Sequence, residues 1–162
     1  RGQERISKSL RRPLRQRVFE VRFATAFEAI MRACGSPRVH QEGTWISEEM
    51  VQAYTALHRA GFAHSIETWR AGRLVGGLYG LSLGAAFFGE SMFSLERDAS
   101  KVAFAALCER CWAWDFEFID AQVKTEHLQS LGAVMISRED FLARLKDALE
   151  APTRQGKWMG VV

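Results

Sequence analysis

The stretch AHSIETWRAGRLVGGLYGLSLGAAFFGESMF, residues 63 to 93, carries the strongest signal for how this chain folds. AHSIETWR (63 to 70) and LVGGLYGLSL (74 to 83) read as two strands joined by the turn Ala71-Gly72-Arg73. Gly84 then separates off a third strand, AAFFGESMF (85 to 93), and three strands so closely linked form a meander, largely antiparallel. Gly76, Gly77 and Gly80 match neither a dinucleotide nor a P-loop pattern. They read as bulges, or as places where a ligand's backbone approaches closely. In the same stretch the carboxylate of Glu90 sits among aromatics, methionine and glycine. Burying an unpaired carboxylate costs several kcal/mol, so Glu90 either lies at an exposed strand end or is met by a positive charge.

On the N-terminal side, VFEVRF (18 to 23) alternates as a short strand, and ATAFEAIMRAC (24 to 34) has helical spacing through Phe27, Ile30, Met31 and Cys34 before Gly35 and Pro37. SPRVHQEGTW is loop-like. Ser47 is a helix N-cap with Glu48 and Glu49 in the first turn, Met50, Tyr54 and Leu57 form the apolar stripe, and Gly61 stops the helix. Beyond the meander, Ser94 or Asp98 caps a helix over 99 to 113 with Phe104, Leu107, Cys108 and Cys111 on one face. FEFIDAQV (116 to 123) reads as a strand, LQSLGA as a short helix stopped by Gly132, VMI as another strand and SREDFLARLKDAL (137 to 149) as a capped amphipathic helix. The tail from Ala151, with Pro152 and Gly156, reads as loose. The pattern predicts an α/β fold, a mixed and largely antiparallel sheet with flanking helices. It is organised as a basic arm (1–17), one domain (18–150) and a C-terminal tail (151–162).

Composition narrows the function classes. A chain of 162 residues with 48% hydrophobic content suits one domain with an ordinary core. No apolar run approaches the roughly 18 residues of a membrane span, and the N-terminal arginines have no apolar stretch behind them. The expectation is a soluble, cytoplasmic protein with no membrane partner. The chain starts at Arg1 rather than Met, as a fragment, a trimmed chain or the tail of a longer one would. Cys34, Cys108 and Cys111 fit a reducing compartment; CERC has the spacing of a redox or zinc pair, but lies in a helical segment with no second CxxC, so packing is favoured. The four histidines are scattered, and no metal is expected. Net charge is only +3, but residues 1 to 17 hold seven basic side chains against Glu4 alone, leaving 15 basic and 18 acidic side chains elsewhere. Such an arm is either a phosphate-contacting segment or a solvated tail.

Few residues stand out as chemistry. On a strand, Asp120 and Gln122 point to one face and Ile119 and Ala121 to the other, placing a carboxylate and an amide at the strand's C-terminal end. The alternative is a capping pair bonded to the next turn. Glu90, flanked by Gly89 and Ser91, either binds a cationic ligand or accepts from backbone N–H groups. Trp45, in GTWI, either stacks on a base or anchors a rim. His64 reads as a satisfied structural histidine, and Ser91 and Ser94 lack a recognisable triad.

GTWI (43 to 46), AYTALHRAGFAHSIETW (53 to 69), LVGGLYG (74 to 80), FGESMFS (88 to 94), ASK (99 to 101), FIDAQV (118 to 123) and HLQSLGA (127 to 133), in this order, resemble the bacterial leucyl/phenylalanyl-tRNA protein transferases. The resemblance runs from about Ile6 to Leu149. It implies a GNAT acyltransferase-like fold and transfer of Leu, Phe or Met from aminoacyl-tRNA to the N-terminal Arg or Lys of a protein, which marks that protein for N-end rule degradation. No cofactor is implied, and the partner is tRNA rather than DNA. By similarity Glu90 would hold the basic side chain of the acceptor. Asp120 would accept from its α-amine, with Gln122 bonded to Asp120 and to the aminoacyl group. Leu78, Met92, Phe104, Leu107, Cys111 and Ile119 would line the pocket for the donor side chain. Trp45 would stack on the terminal adenine, and Arg5, Lys8, Arg11, Arg12 and Arg15 would follow the acceptor-stem phosphates.

The sequence departs from the family pattern in places. The family has an additional N-terminal domain ahead of the part matched here. Ala121 stands where Cys is expected, WAWD replaces a glycine-containing turn before FEFID, and Cys111 replaces an aromatic. Two rival readings remain: a CoA-dependent N-acetyltransferase of the same fold, and a non-catalytic domain that binds RNA or N-terminal degrons. The first would need a Q/R-x-x-G-x-G/A loop opening the long helix, and SLERDASK lacks it.

Overall fold

The structure, a computed structural model, describes residues 18–36 and 44–158. A five-stranded sheet in the order β1-β2-β3-β4-β5 forms its centre. The strands are β1 (Glu20–Phe23), β2 (Ala63–Arg70), β3 (Arg73–Leu83), β4 (Ala86–Ser94) and β5 (Phe118–Asp120). The first four are antiparallel neighbours, and β5 pairs parallel to β4. The mixed, largely antiparallel sheet expected from the sequence is present. The helices are α1 (Phe27–Gly35), α2 (Glu48–Arg59), α3 (Ala99–Ala113), α4 (Glu126–Ser130) and α5 (Arg138–Glu150).

Local chemistry explains most boundaries. Ala71 and Gly72 both have positive φ, 47° and 74°, so β2 and β3 are joined by the two-residue turn whose twist matches the strands. Ser47, Thr125 and Ser137 accept from the N–H groups of Met50, Leu128 and Asp140 and so cap α2, α4 and α5. At α3 the two candidates divide the work: Ser94 Oγ accepts from Ser100 N at 3.2 Å, while Asp98 adopts φ 68° without capping. In the WAWD turn Asp115 takes φ 56°, a left-handed conformation ordinarily left to glycine.

The sheet's two faces carry different cores. On one, Phe23, Ile66, Leu78 and Phe87 pack against Val102, Ala106, Leu107 and Cys111 of α3. On the other, Tyr79 and Phe93 meet Phe27, Ile30, Met31 and Cys34 of α1 and Val51 of α2. The glycines of β3 are explained by these helices rather than by a ligand. A Cβ on Gly76 would stand 2.6 Å from Ala99 Cβ, and one on Gly77 would collide with the Ile30 side chain on the opposite face. Gly76 and Gly80 each also flank a bulge, the first where Val75 is unmatched opposite Thr68 and Trp69 and the second where Glu90 is unmatched opposite Tyr79 and Gly80.

Other expectations are corrected by packing. The inward stripe of α2 is Val51, Tyr54, Thr55 and His58, one position round from the predicted one, and Leu57 is exposed. Val134, Met135 and Ile136 form no strand and are exposed; β-propensity alone does not make a strand without a partner. The tail is pinned, not loose, over its described part. Gly84 N donates to Thr153 Oγ1 at 2.8 Å, Gly156 N to Gly61 O at 3.2 Å, and Trp158 is 2% exposed.

Two buried polar residues shape stability. Glu67 is fully buried, and its carboxylate accepts from Thr25 N, Thr25 Oγ1, Ala26 N and Ser65 Oγ at 2.5–3.5 Å. It therefore satisfies N–H groups at the entry to α1 from across the sheet, although burial still pushes its pKa up. Glu67→Ala should destabilise the fold by about 2 kcal/mol or more in chemical denaturation, because those donors lose their acceptor. An unchanged midpoint would show that α1 does not depend on it.

His64 is not the satisfied histidine expected. It stacks on Trp158 at 4.0 Å, and its ring is met by the Gly61 backbone without a hydrogen bond of good geometry at either nitrogen among the described residues. Burial, aided by His58, lowers its pKa to about 3, against 6.5 when exposed. Between these values the unfolded chain binds the extra proton, so stability should fall as pH drops from about 6.5 toward 3. His64→Phe should flatten that loss in thermal melts; an identical pH slope in the variant would exclude His64 as its source.

Candidate active site

The strand β4 holds more residues than its partners can match. Tyr79 pairs Ser91 and Gly80 pairs Gly89, so Glu90 is the unmatched residue of a β-bulge. On the other side, β5 accompanies β4 only through Ala86↔Phe118, Phe87↔Ile119 and Phe88↔Asp120. The two parallel strands therefore part just where Glu90 bulges, and Asp120 ends β5 at the fork.

Asp120 and Gln122 do come together, but not through strand alternation. β5 stops at Asp120, and Gln122 has left it with φ 62°. The Asp120 carboxylate accepts from Gln122 N at 2.8 Å, a tight turn closed by the side chain. A non-glycine residue held at positive φ costs on the order of 1–3 kcal/mol and is met most often where function requires it. That conformation sends the Gln122 amide back across the fork, where Nε2 donates to Gly89 O at 3.0 Å. The same amide also hydrogen-bonds the Glu90 carboxylate.

Glu90 itself is neither at a strand end nor met by a cation among the described residues. It is half-buried, and its hydrogen bonds come from two neutral donors, the Tyr54 hydroxyl and the Gln122 amide. Burial pushes its pKa up, the two hydrogen bonds oppose that, and the Asp120 carboxylate nearby pushes it up further. In turn, burial and Glu90 raise the Tyr54 hydroxyl to about 12, so it stays protonated. Two carboxylates close together, one served only by neutral donors, make a site that favours a cation.

All six residues expected along the apolar pocket belong to one cluster: Leu78, Leu107 and Cys111 are buried in it, and Met92, Phe104 and Ile119 pack against it. Met92 and Ile119 sit with the core on the α3 side of the sheet, whereas Glu90 reaches Tyr54, which packs with the core on the other side. Trp45 stands 55% exposed on the loop entering α2. Arg5, Lys8, Arg11, Arg12 and Arg15 lie outside the described residues. Among the described residues no group of three or more His, Cys, Asp or Glu is arranged to hold a metal, and no helix is long and apolar enough to cross a membrane. In the sequence Tyr54 reads only as part of an apolar stripe; a tyrosine on such a stripe is the one hint of its hydrogen bond. Glu67 and Trp158 gave no signal of their roles.

The antiparallel meander, the α3 crossover and the parallel β4–β5 pair make a fold of the kind found in GNAT-type acetyltransferases. An aminoglycoside acetyltransferase from an uncultured soil metagenomic sample, solved with sisomicin, shares the fold with TM-score 0.57 at 9% identity, over 76% of this chain and 93% of that one. A second aminoglycoside acetyltransferase from such a sample gives 0.50 at 14% identity, over 74% and 93%.

Sequence comparison is more specific. Residues 2–146 match the family described as leucyl/phenylalanyl-tRNA protein transferase, and the chain belongs to that family. The transferase of Myxococcus xanthus is 54% identical over 154 residues, 94% of this chain and 66% of that protein. The transferase of Thiobacillus denitrificans is 53% identical over 95% of this chain and 68% of its own length. That of Desulfatibacillum aliphaticivorans is 55% identical over 94% and 66%. The chain thus spans about two thirds of the length of the curated relatives it matches.

Proposed function

We propose that this chain transfers Leu or Phe, and Met, from aminoacyl-tRNA to the N-terminal Arg or Lys of a protein, in the cytoplasm and without a cofactor. The observation that carries this reading is the fork itself: Glu90, Asp120 and Gln122 meet where β4 and β5 part. An acceptor terminus carries an α-ammonium and a basic side chain, and the two carboxylates answer them. Glu90 takes the side chain. Asp120, with one oxygen bonded to Gln122 N, offers the other to the α-amine.

The amine nitrogen attacks the ester carbonyl, the peptide C–N bond forms, the ester C–O bond breaks, and the amine proton goes to the departing ribose oxygen. An aminoacyl ester is already activated, and an α-amine of pKa roughly 7.7–8.0 is partly neutral near pH 7. A strong base is therefore unnecessary, and placing amine and ester together supplies up to about 7–11 kcal/mol of the barrier. The apolar cluster would hold the donor side chain, Trp45 the terminal adenine, and the basic arm the acceptor-stem phosphates.

The CoA-dependent alternative fits the fork less well. At the start of α3 the Ser100 N–H is already bonded to Ser94 Oγ, and the segment SLERDASK that leads into the helix has no glycine loop to cradle a pyrophosphate. Incubation with Phe-tRNA and an Arg-initiated peptide tests the proposal. Phe-extended peptide above the spontaneous rate supports it. Tight peptide binding without product would instead favour a binding module, and thermal protection by acetyl-CoA would favour the acetyltransferase.

A further inference from the structure

Tyr79 has no part in the chemistry above, yet it adjoins the acceptor site in two ways. Along the backbone it is the last β3 residue in register before the bulge, so the Tyr79↔Ser91 pair fixes where Glu90 is extruded. Through its ring it packs edge-on against Tyr54, centroids 5.6 Å apart at 84°, and Tyr54 is the residue whose hydroxyl bonds Glu90. Phe27 holds the same ring from another side at 5.9 Å and is itself stacked on His58 of α2 at 4.4 Å.

The phenol is also unusual energetically. Tyr79 is fully buried and its hydroxyl has no hydrogen-bond partner among the described residues. Leaving a buried hydroxyl unpaired costs about 1–3 kcal/mol, and phenylalanine would fill the same space without that penalty. Burial first, then the neighbouring Cys34, Tyr54 and Glu90, raise its pKa, so the group is a neutral donor at any working pH. Thr55, His64, Trp69 and Ser82 also hold buried polar atoms without hydrogen-bond partners among the described residues, but Tyr79 is the one whose ring packs on Tyr54 beside Glu90, and that placement calls for an explanation.

We propose that Tyr79 is a positioning residue of the acceptor site: its ring orients Tyr54, and its hydroxyl supports the Tyr54–Glu90 pair when a cationic peptide terminus engages Glu90. This inference rests on the reading of Glu90 as the acceptor-binding carboxylate. Tyr79 acts through Tyr54 and does not touch the reacting atoms.

The test is equilibrium binding of an Arg-initiated peptide to the whole chain, alongside thermal melting. If the unaltered chain binds no such peptide in preference to an Ala-initiated one, the reading of the site fails and this inference with it. Given binding, Tyr79→Phe should leave the melting temperature unchanged or raise it, yet weaken the peptide by about 3- to 10-fold. Tyr54→Phe should weaken it similarly, and the double variant should lose little more than either alone. Wild-type affinity in Tyr79→Phe, or losses that simply multiply in the double variant, would overturn the proposal. A lower melting temperature in step with the weaker binding would make Tyr79 a packing residue only and overturn it as well.

Discussion

Trp158→Ala should lower the melting temperature by roughly 10 °C and leave part of the chain unfolded at physiological temperature. Removing a buried tryptophan costs about 3–5 kcal/mol, a large share of the 5–15 kcal/mol that holds a domain together. The loss is concentrated because Trp158 is shared: His64 stacks on it, Phe87 tilts against it at 5.6 Å, and Trp114 and Phe116 meet it edge-on at 5.0 and 5.7 Å. These partners come from β2, β4 and the segment that leads from α3 into β5, so one side chain ties the C-terminal segment to the strands that fork at the site. Arg154 over the Trp114 ring, at 4.9 Å, adds a second tie. A melting temperature unaffected by Trp158→Ala would show that the tail is only laid on the surface.

The second large effect concerns activity without stability. Asp120→Ala and Glu90→Ala should each lower acceptor use by on the order of 100-fold, with melting shifted by no more than a few degrees. Neither carboxylate is fully buried, so neither substitution leaves a large cavity. Glu90 also dictates a pH dependence. It binds a cation only when ionised, and burial raises its pKa, so acceptor affinity should be lost on acidification at a higher pH than an exposed glutamate would show. Equal losses of activity and thermal stability in both alanine variants would make them structural residues instead.

Much of this architecture was legible in the sequence because it is written in local rules. The Ala71-Gly72 turn, the Ser47 and Ser137 caps, the 3.6-residue spacing of Phe27, Ile30, Met31 and Cys34, and the bounds of α3 all follow from short-range chemistry. What could not be read depends on contacts distant in sequence. Gly76 and Gly77 are small because Ala99 and Ile30 arrive from other elements, and Trp158 is buried because a cavity built 40 to 100 residues earlier accepts it. The carboxylates and Gln122 were picked out by their residue types and by a family resemblance. Strand alternation predicted their meeting for the wrong reason: the geometry comes from a bulge at Glu90 and a left-handed Gln122, neither of which has a reliable sequence signal. Tyr54 escaped because a helix stripe shows which face is buried and not which hydroxyl finds an acceptor.

The proposal that a carboxylate pair reads the charge of the acceptor is tested most directly with peptides that differ in that charge alone. Peptides beginning with Lys and with norleucine have nearly the same length and shape, and only the first carries a side-chain ammonium. With the unaltered chain and Phe-tRNA, the Lys peptide should be extended at least about 30-fold more efficiently, and Glu90→Gln should erase most of that preference. If Glu90→Gln retains the full preference for Lys over norleucine, Glu90 does not recognise the acceptor, and the role assigned to the fork between β4 and β5 is wrong.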